Sequence, residues 1–356
     1  MDNIFFDLDS FGIEKNSRVI VAMSGGVDSS TTALLAKKAG LTPIGITLQM
    51  FDNKNEFWKD AEKVAKVLDI EWHLIDCTED FIPDVMGYFI REYKMGRTPN
   101  PCSKCNRVGK TKYLFAQMQK FDCKYILTGH YAATKLIEDQ YYIQKAAHPE
   151  KDQSYYLSMI EPFYINLLKF PLGSMEKSMV RKIAAKNNIP VAEKKDSQET
   201  CFLEGNDYRK FLQPYIKEGR AGNFILNNEI IGKNKGIHNY TPGQRRGLDI
   251  SYHEPLYVKS IDAKTGDVIL GTKKEVFAKG VALKDCSFFP KADYMGKVTA
   301  KLRYRMKEEP CIMERVPDNK CFLLFDEYQF APAPGQTAAI YCDDIVIGGG
   351  IIDHTY

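Results

Sequence analysis

The feature that most constrains this chain lies near its start. Arg18 to Met23 (RVIVAM) is an unbroken run of strand length. It leads directly into Ser24-Gly25-Gly26-Val27-Asp28-Ser29-Ser30, after which apolar residues continue through Ala33, Leu34, Leu35 and Ala36. A buried strand turning straight into a helix begins a strand–helix–strand unit, and such units build parallel sheets covered on both faces. The alternation continues: strands are expected at Thr42–Met50, Glu71–Ile75 and Lys124–Thr128, with helices at Asp60–Leu68 and near Tyr113–Gln119. The expected fold class is α/β, with a parallel-sheet domain at the N-terminal end.

After about residue 205 helical spacing fades. Short β-rich runs follow (FILNNEIIG, PLYVKSIDAKTGDVILGT, CFLLFDEYQF), separated by turn residues such as Asn227-Asn228 and Thr265-Gly266-Asp267. A length of 356 residues suits two or three domains. The expected division is a catalytic α/β domain over 1–205, a small central domain over 206–277 and a C-terminal β-barrel over 278–356.

The turn between the first strand and helix is an anion site on physical grounds. Two glycines let the backbone approach a ligand closely. The helix start leaves N–H groups unpaired at the positive end of the macrodipole, and Ser24, Ser29 and Ser30 add hydroxyls. Asp28 is out of place beside phosphate unless a metal bridges the two, so it is expected to help place Mg²⁺. No Gly-Lys-Ser/Thr follows, which excludes a Walker A loop. Leu48 lies at the end of the second strand. Gly129 and His130 follow the fourth strand, at the edge where open α/β sheets bind ligands.

Nine cysteines and no disulfide pattern suit a reducing compartment. Six of them sit singly and read as small hydrophobes. The other three stand in marked settings. Cys102 and Cys105 form a Cys-x-x-Cys after the rigid Thr98-Pro99-Asn100-Pro101, and Cys201 lies in the polar run Lys195–Phe202. Zinc would need four ligands, and no second pair is nearby. A redox pair and idle thiols stay open. Basic neighbours would favour the Cys201 thiolate and so a sulfur-carrying persulfide.

A net charge of +3 identifies no partner, but local clusters point to a polyanion. Seven basic residues and one acidic one fall between Arg97 and Lys124, and Lys177, Arg181, Lys182 and Lys186 share an expected helix. Lys301, Arg303, Arg305 and Lys307 alternate on an expected strand, which would put them on one face. No apolar run approaches the roughly 20 residues that span a bilayer. Met1–Ser10 has three Asp and no Lys or Arg, unlike a signal or transit peptide. The expected location is cytoplasmic, with no membrane partner.

The Ser-Gly-Gly-Val-Asp-Ser loop resembles the pyrophosphatase loop (PP-loop) of enzymes that split ATP between its α- and β-phosphates. That likeness implies an adenine-nucleotide α-hydrolase-like domain that binds ATP through Ala22, Met23, Ser24, Gly25, Gly26, Val27, Asp28 and Ser29, with Leu48 and Gly129. SGGVDSS, GRTPNPCSKCN, TGHY, KDQSYYL, KDSQETCF, YTPGQRRGL, LRYR and PGQTAAIY then occur in one order along nearly the whole chain. In this the sequence resembles the tRNA-specific 2-thiouridylases. The resemblance implies that ATP adenylates the 2-oxygen of a wobble uridine in tRNA, and that a persulfide on Cys201 then attacks C2 and expels AMP. It implies that Cys105 releases the sulfide or closes a disulfide with Cys201. Asn100, Pro101 and Cys102 would face the target base, and Lys151, Asp152, Gln153, Arg303, Tyr304 and Arg305 would contact tRNA. A sulfur donor is also implied: a cysteine desulfurase, a relay protein or free sulfide.

One position departs from the best-studied pattern, which has Asp where this chain has Cys102. Other members carry Cys there. With Cys102, Cys105 and Cys201 as ligands, a 4Fe-4S cluster with one open iron is the alternative to the persulfide route, although such clusters usually take four cysteines. Two rival readings remain: a PP-loop ligase acting on a small molecule, which needs none of the three cysteines, and a non-catalytic tRNA- or metal-binding protein, which needs no intact nucleotide loop.

Overall fold

The computed structural model describes residues 6–52, 56–196, 200–203, 205, 207–216, 221–290 and 296–356. Ser197, Gln198 and Glu199 of the Lys195–Phe202 run lie outside them. The chain divides into two compact units, one of 1–84, 104–198 and 344–347, the other of 85–103, 199–343 and 348–356.

The first unit begins with β1 (Arg18–Ala22), α1 (Val27–Lys38), β2 (Thr42–Gln49), α2 (Trp58–Leu68), β3 (Glu71–Asp76) and α3 (Thr78–Phe81). The chain then runs through α4 (Gly87–Lys94) of the second unit and along α5 (Pro101–Cys105). A π-helical turn, Asn106–Lys110, and α6 (Thr111–Lys120) follow, then β4 (Tyr125–Leu127) and the hairpin β5–β6 (Ala133–Ile137, Gln140–Gln144). The unit closes with α7 (Ser154–Leu157), α8 (Pro162–Ile165), β7 (Leu168–Lys169) and α9 (Lys177–Lys186).

Its sheet is parallel, in the order β3-β2-β1-β4-β7. Val19, Ile20 and Val21 have no exposed surface. Burial on both faces is why β1 reads as a continuous apolar run rather than an alternating one. The chain builds outward from β1 in both directions, so the carboxyl end of β1 is the switch point where such sheets bind ligands. α1 is buried from Ser29 to Ala36. Its polar residues are satisfied locally: Ser30 Oγ donates to Gly26 O (2.8 Å), Thr31 Oγ1 to Val27 O (2.8 Å) and Thr32 Oγ1 to Asp28 O (3.0 Å).

The second unit holds the short α10 (Tyr208–Leu212) and a sheet of order β10-β11-β8-β9, built from β8 (Asn223–Leu226), β9 (Glu229–Lys233), β10 (Tyr257–Asp262) and β11 (Asp267–Gly271). Asn227 and Asn228 both have positive φ, 51° and 68°, as the two-residue turn between β8 and β9 requires. Phe224, Val258, Val268 and Leu270 form its core. Antiparallel strands β12 (Phe277–Phe288), β13 (Gly296–Lys301), β14 (Glu309–Val316), β15 (Lys320–Phe330), β16 (Thr337–Cys342) and β17 (Ile345–Thr355) follow. Their order is β12-β15-β14-β13-β16-β17, and the β12–β17 pairing closes them into a six-stranded barrel. The α/β class and the C-terminal barrel are as expected.

The strand expected through Lys307 stops early. β13 ends at Lys301, and β13 and β14 pair antiparallel with Ala300 opposite Glu309, so the chain must reverse between them. Arg303–Met306 form that reversal, with the Met306 N–H donating to Arg303 O (3.1 Å). The side chains of Arg303 and Arg305 therefore do not share a strand face.

Candidate active site

α1 begins after Gly26, and no side chain caps its N-terminus. That is the condition in which a helix start presents its N–H groups to an anion. Gly25 has φ +74°, and a Cβ there would lie 2.9 Å from Phe57 O. Gly25 is therefore fixed both by its conformation and by its neighbour. Ser29 braces the loop, accepting from the Ser24 N–H (3.1 Å) and donating to Gly26 O (3.1 Å). Gly129, after β4, packs directly on the loop: a Cβ there would stand 2.9 Å from Ser29 N. Ala22, Met23 and Val27 flank the turn, and Leu48 lies half-buried near the end of β2. His130 is a scaffold residue. Its Nδ1 pairs with Thr128 Oγ1 (2.9 Å), and burial pushes its pKa down to about 3, helped by the Lys110 charge. It stays neutral at physiological pH.

Asp28 has partners the sequence did not announce. Lys177 Nζ donates to both of its carboxylate oxygens (2.7 Å each), and Tyr131 Oη donates to Oδ1 (2.9 Å). The argument that only a metal gives this charge a use is thus corrected: a lysine supplies the counter-charge.

The cysteines fall in different settings. Cys105 belongs to the first unit and is buried. Its Sγ lies 3.9 Å from Met50 Sδ, and burial pushes its pKa up against the opposing Lys110 charge. The π-helical turn begins at the next residue, a departure from regular helix often found at functional sites. Cys102 belongs to the second unit, where Asn100 Oδ1 caps α5 by accepting from the N–H groups of Cys102 and Ser103 (3.1 Å each). Pro101 occupies the first helical position, which its fixed φ favours. Cys201, also in the second unit, is exposed. Its neighbour Phe202 is buried and packs edge-on against Phe89 (5.3 Å), with Phe211 also beside it (5.0 Å), which anchors the thiol's turn. Among the described residues no group of three His, Cys, Asp or Glu side chains is placed to hold a metal ion.

Residues 17–205 match the family described as tRNA methyl transferase HUP domain, 209–272 the tRNA methyl transferase PRC-barrel domain, and 278–352 the aminomethyltransferase beta-barrel domain. The tRNA-specific 2-thiouridylase MnmA 1 of Thermoanaerobacter sp. (strain X514) is 39% identical, covering 96% of this chain and 99% of its own. The tRNA-specific 2-thiouridylase MnmA of Caldicellulosiruptor saccharolyticus is 39% identical over 94% of this chain and 98% of its own. The chain belongs to the tRNA-specific 2-thiouridylase family. Among solved structures, a 4-thiouridine synthetase–RNA complex with bound ATP is a distant likeness: 12% identity, 56% of this chain, 50% of that one, TM-score 0.34.

Within this thiouridylase-family fold, the residues expected to meet tRNA divide. Asp152 is buried, and its carboxylate accepts from the N–H groups of Ala146 (2.9 Å) and Ser154 (3.3 Å) and from Ser154 Oγ (2.7 Å). It builds a turn. Gln153 pairs with Tyr131, accepting its N–H through Oε1 (3.0 Å). Lys151 pairs with Asp196 at 3.3 Å. Arg303 donates to Pro242 O (3.0 Å) and Ala331 O (2.8 Å), while Arg305 is exposed and Tyr304 half-buried. Several of the counted basic residues are likewise engaged: Arg97 with Glu92 (2.8 Å) and Asp353 (3.2 Å), Arg107 with Glu161 (2.9 Å), and Arg181 with Asp196 (2.6 Å). No helix among the described residues is long and apolar enough to cross a membrane.

Proposed function

We propose that this protein is a cytoplasmic ATP-dependent tRNA-uridine 2-sulfurtransferase. The observation that carries the reading is the near full-length match to 2-thiouridylases, 39% identity over 96% of the chain, in a chain that keeps the uncapped helix start of its loop. ATP binds with its phosphates at the start of α1 and its adenine near Leu48. The 2-oxygen of the wobble uridine attacks the α-phosphorus and pyrophosphate leaves. The terminal sulfur of a Cys201 persulfide then attacks C2, the C2–O bond breaks and AMP leaves. Cys105 attacks the Cys201 sulfur, the S–S bond to the base breaks to release 2-thiouridine, and the resulting Cys105–Cys201 disulfide must be reduced by a cellular thiol. Asn100, Pro101 and Cys102 bound the base, with Lys151, Gln153, Tyr304 and Arg305 toward the RNA. The work is divided among 1–205, 206–277 and 278–356.

The alternative route holds a 4Fe-4S cluster on Cys102, Cys105 and Cys201. Magnesium, the usual companion of ATP, would have to displace Lys177 to be held by Asp28. The sulfur donor is a cysteine desulfurase, a relay protein or free sulfide.

The test is 2-thiouridine formation and tRNA-dependent pyrophosphate release under anaerobic conditions, beside iron content. Cys201→Ser is expected to release pyrophosphate with tRNA and form no thiouridine, from an iron-free active wild type. Activity that tracks iron across Cys102→Ser, Cys105→Ser and Cys201→Ser would replace the persulfide route by the cluster. Pyrophosphate release without tRNA, driven by a small acceptor, would favour a small-molecule ligase.

A further inference from the structure

Arg97 ties two parts of the second unit together. It opens the run Arg97-Thr98-Pro99-Asn100-Pro101-Cys102, and its side chain is only 16% exposed. The guanidinium reaches three partners. Nε donates to the buried Glu92 of α4 (2.8 Å), Nη1 to Asp353 Oδ1 of β17 (3.2 Å) and Nη2 to Ile352 O (2.9 Å). The Arg97 N–H donates to Glu92 O (2.9 Å). The barrel also grips the next residue by its backbone. The Thr98 N–H donates to Pro334 O (2.8 Å), and Gln336 Nε2 donates to Thr98 O (2.8 Å). Gly335, between those two barrel residues, has φ +95°, and a Cβ there would stand 2.9 Å from Thr98 N. The contact is therefore backbone on backbone. Pro99 and Pro101 restrict the chain from there to α5, which Asn100 caps.

We propose that Arg97 is a positioning residue: it fixes Asn100, Pro101 and Cys102 on the barrel so that the target uridine is held in one place. The inference rests on the reading above that these three residues bound the base. A guanidinium fork sets direction as well as distance, because its donors lie fixed in one plane. A lysine would keep the charge beside Glu92 but not that direction. The two prolines pass a shift at Arg97 on to Asn100, because the chain between them has little freedom to absorb it. Phosphate contacts carry much of the affinity for a nucleic acid. A misplaced base segment therefore costs rate rather than binding. An ion pair that served stability alone would cost neither while the protein stays folded.

The experiment measures three quantities on the full chain: melting temperature, tRNA affinity by filter binding, and the rate of tRNA-dependent pyrophosphate release at saturating tRNA and ATP. Arg97→Lys is expected to slow that rate roughly 10–100-fold, the scale of a misplacement of about 1 Å, with tRNA affinity retained. Lys284→Met is the control. Lys284 meets the same Asp353 at 3.0 Å from β12, so its loss should lower the melting temperature and leave the rate unchanged. Asp353→Ala frees one prong of the fork at a half-exposed position and provides the test if Arg97→Lys does not fold; it too should slow the rate. Full rate in folded Arg97→Lys overturns the proposal, as does full rate in Asp353→Ala where that variant stands in. An equal loss of rate in Lys284→Met makes the network structural and overturns it as well. So does a loss confined to tRNA affinity. Asn100→Ser, which still caps α5, separates the proposal from the reading beneath it. If Asn100→Ser keeps the full rate, the segment does not bound the base and both fall. If Asn100→Ser is slow and Arg97→Lys is not, the proposal alone falls.

Discussion

Gly129 and Ser29 lie back to back, so close that a Cβ on Gly129 would stand 2.9 Å from the Ser29 backbone nitrogen and 3.0 Å from the Asp28 carbonyl carbon. Backbone atoms cannot swing aside as a side chain can, so any substitution must move the loop. Gly129→Ala is expected to cost about 1–3 kcal/mol of stability, the usual range for overpacking, and to weaken ATP binding more than tRNA binding. Isothermal titration with each ligand separates the two effects, and unchanged ATP affinity would show that the loop tolerates displacement.

His130 should make the protein acid-sensitive. Its ordinary pKa of 6.5 falls to about 3 in the fold. A base with a depressed folded pKa contributes stability that is complete above the unfolded value, and the contribution is lost as pH falls from about 6.5 toward 3. The limiting slope is about 1.4 kcal/mol per pH unit for one proton. Urea unfolding of wild type and His130→Gln at pH 7.5 and 5.5 checks this. The wild type should lose more stability than the variant over that interval, and parallel losses would assign the acid sensitivity to other groups.

Lys169, at the end of β7, is 1% exposed, with its ammonium 4.1 Å from the centre of the Tyr141 ring and 5.0 Å from that of Tyr125. Burial lowers its pKa to about 8. At pH 7 it is charged, and the two aromatic faces offset only part of its desolvation. Lys169→Met keeps the volume and removes the charge, so it is expected to be neutral or stabilising by about 1–3 kcal/mol at pH 7. The gain should shrink as pH rises from 8 to 10.5, because the wild-type lysine loses its proton in the fold. Thermal denaturation across that range reads both effects.

Arg303 and Arg305 should behave differently although both belong to the Leu-Arg-Tyr-Arg motif. Arg303 holds two backbone carbonyls, so Arg303→Ala is expected to lower stability by about 1–3 kcal/mol. Exposed Arg305 is free of that duty. Arg305→Ala should leave stability unchanged, weaken tRNA binding and reduce the salt dependence by roughly 0.7 to 0.9 of an ion. Equal salt slopes for wild type and Arg305→Ala would show that this arginine meets no phosphate.

What the sequence determined by itself is local and periodic. The continuous apolar run of β1, the helix after it and the glycines between them needed no partner to be read, because a strand buried on both faces and an anion-binding helix start each have a compositional signature. The α/β class, the β-rich C-terminal part and the nucleotide loop were legible for that reason, as was the hairpin at Asn227-Asn228. Tertiary structure alone decided where charges went. Lys177 and Asp28 are 149 positions apart in the chain, and Asp28 looked like a metal-placing residue until its ammonium partner was seen. Asp152 is enclosed by the turn it builds, and Arg303 grips two backbone carbonyls. Alternation of Lys301, Arg303, Arg305 and Lys307 mimicked a strand, but the pairing of Ala300 with Glu309 forces a reversal there. Charged side chains are long, and their partners are chosen by proximity after folding, so a count of basic residues in a linear window cannot separate those that face a ligand from those already neutralised within the protein.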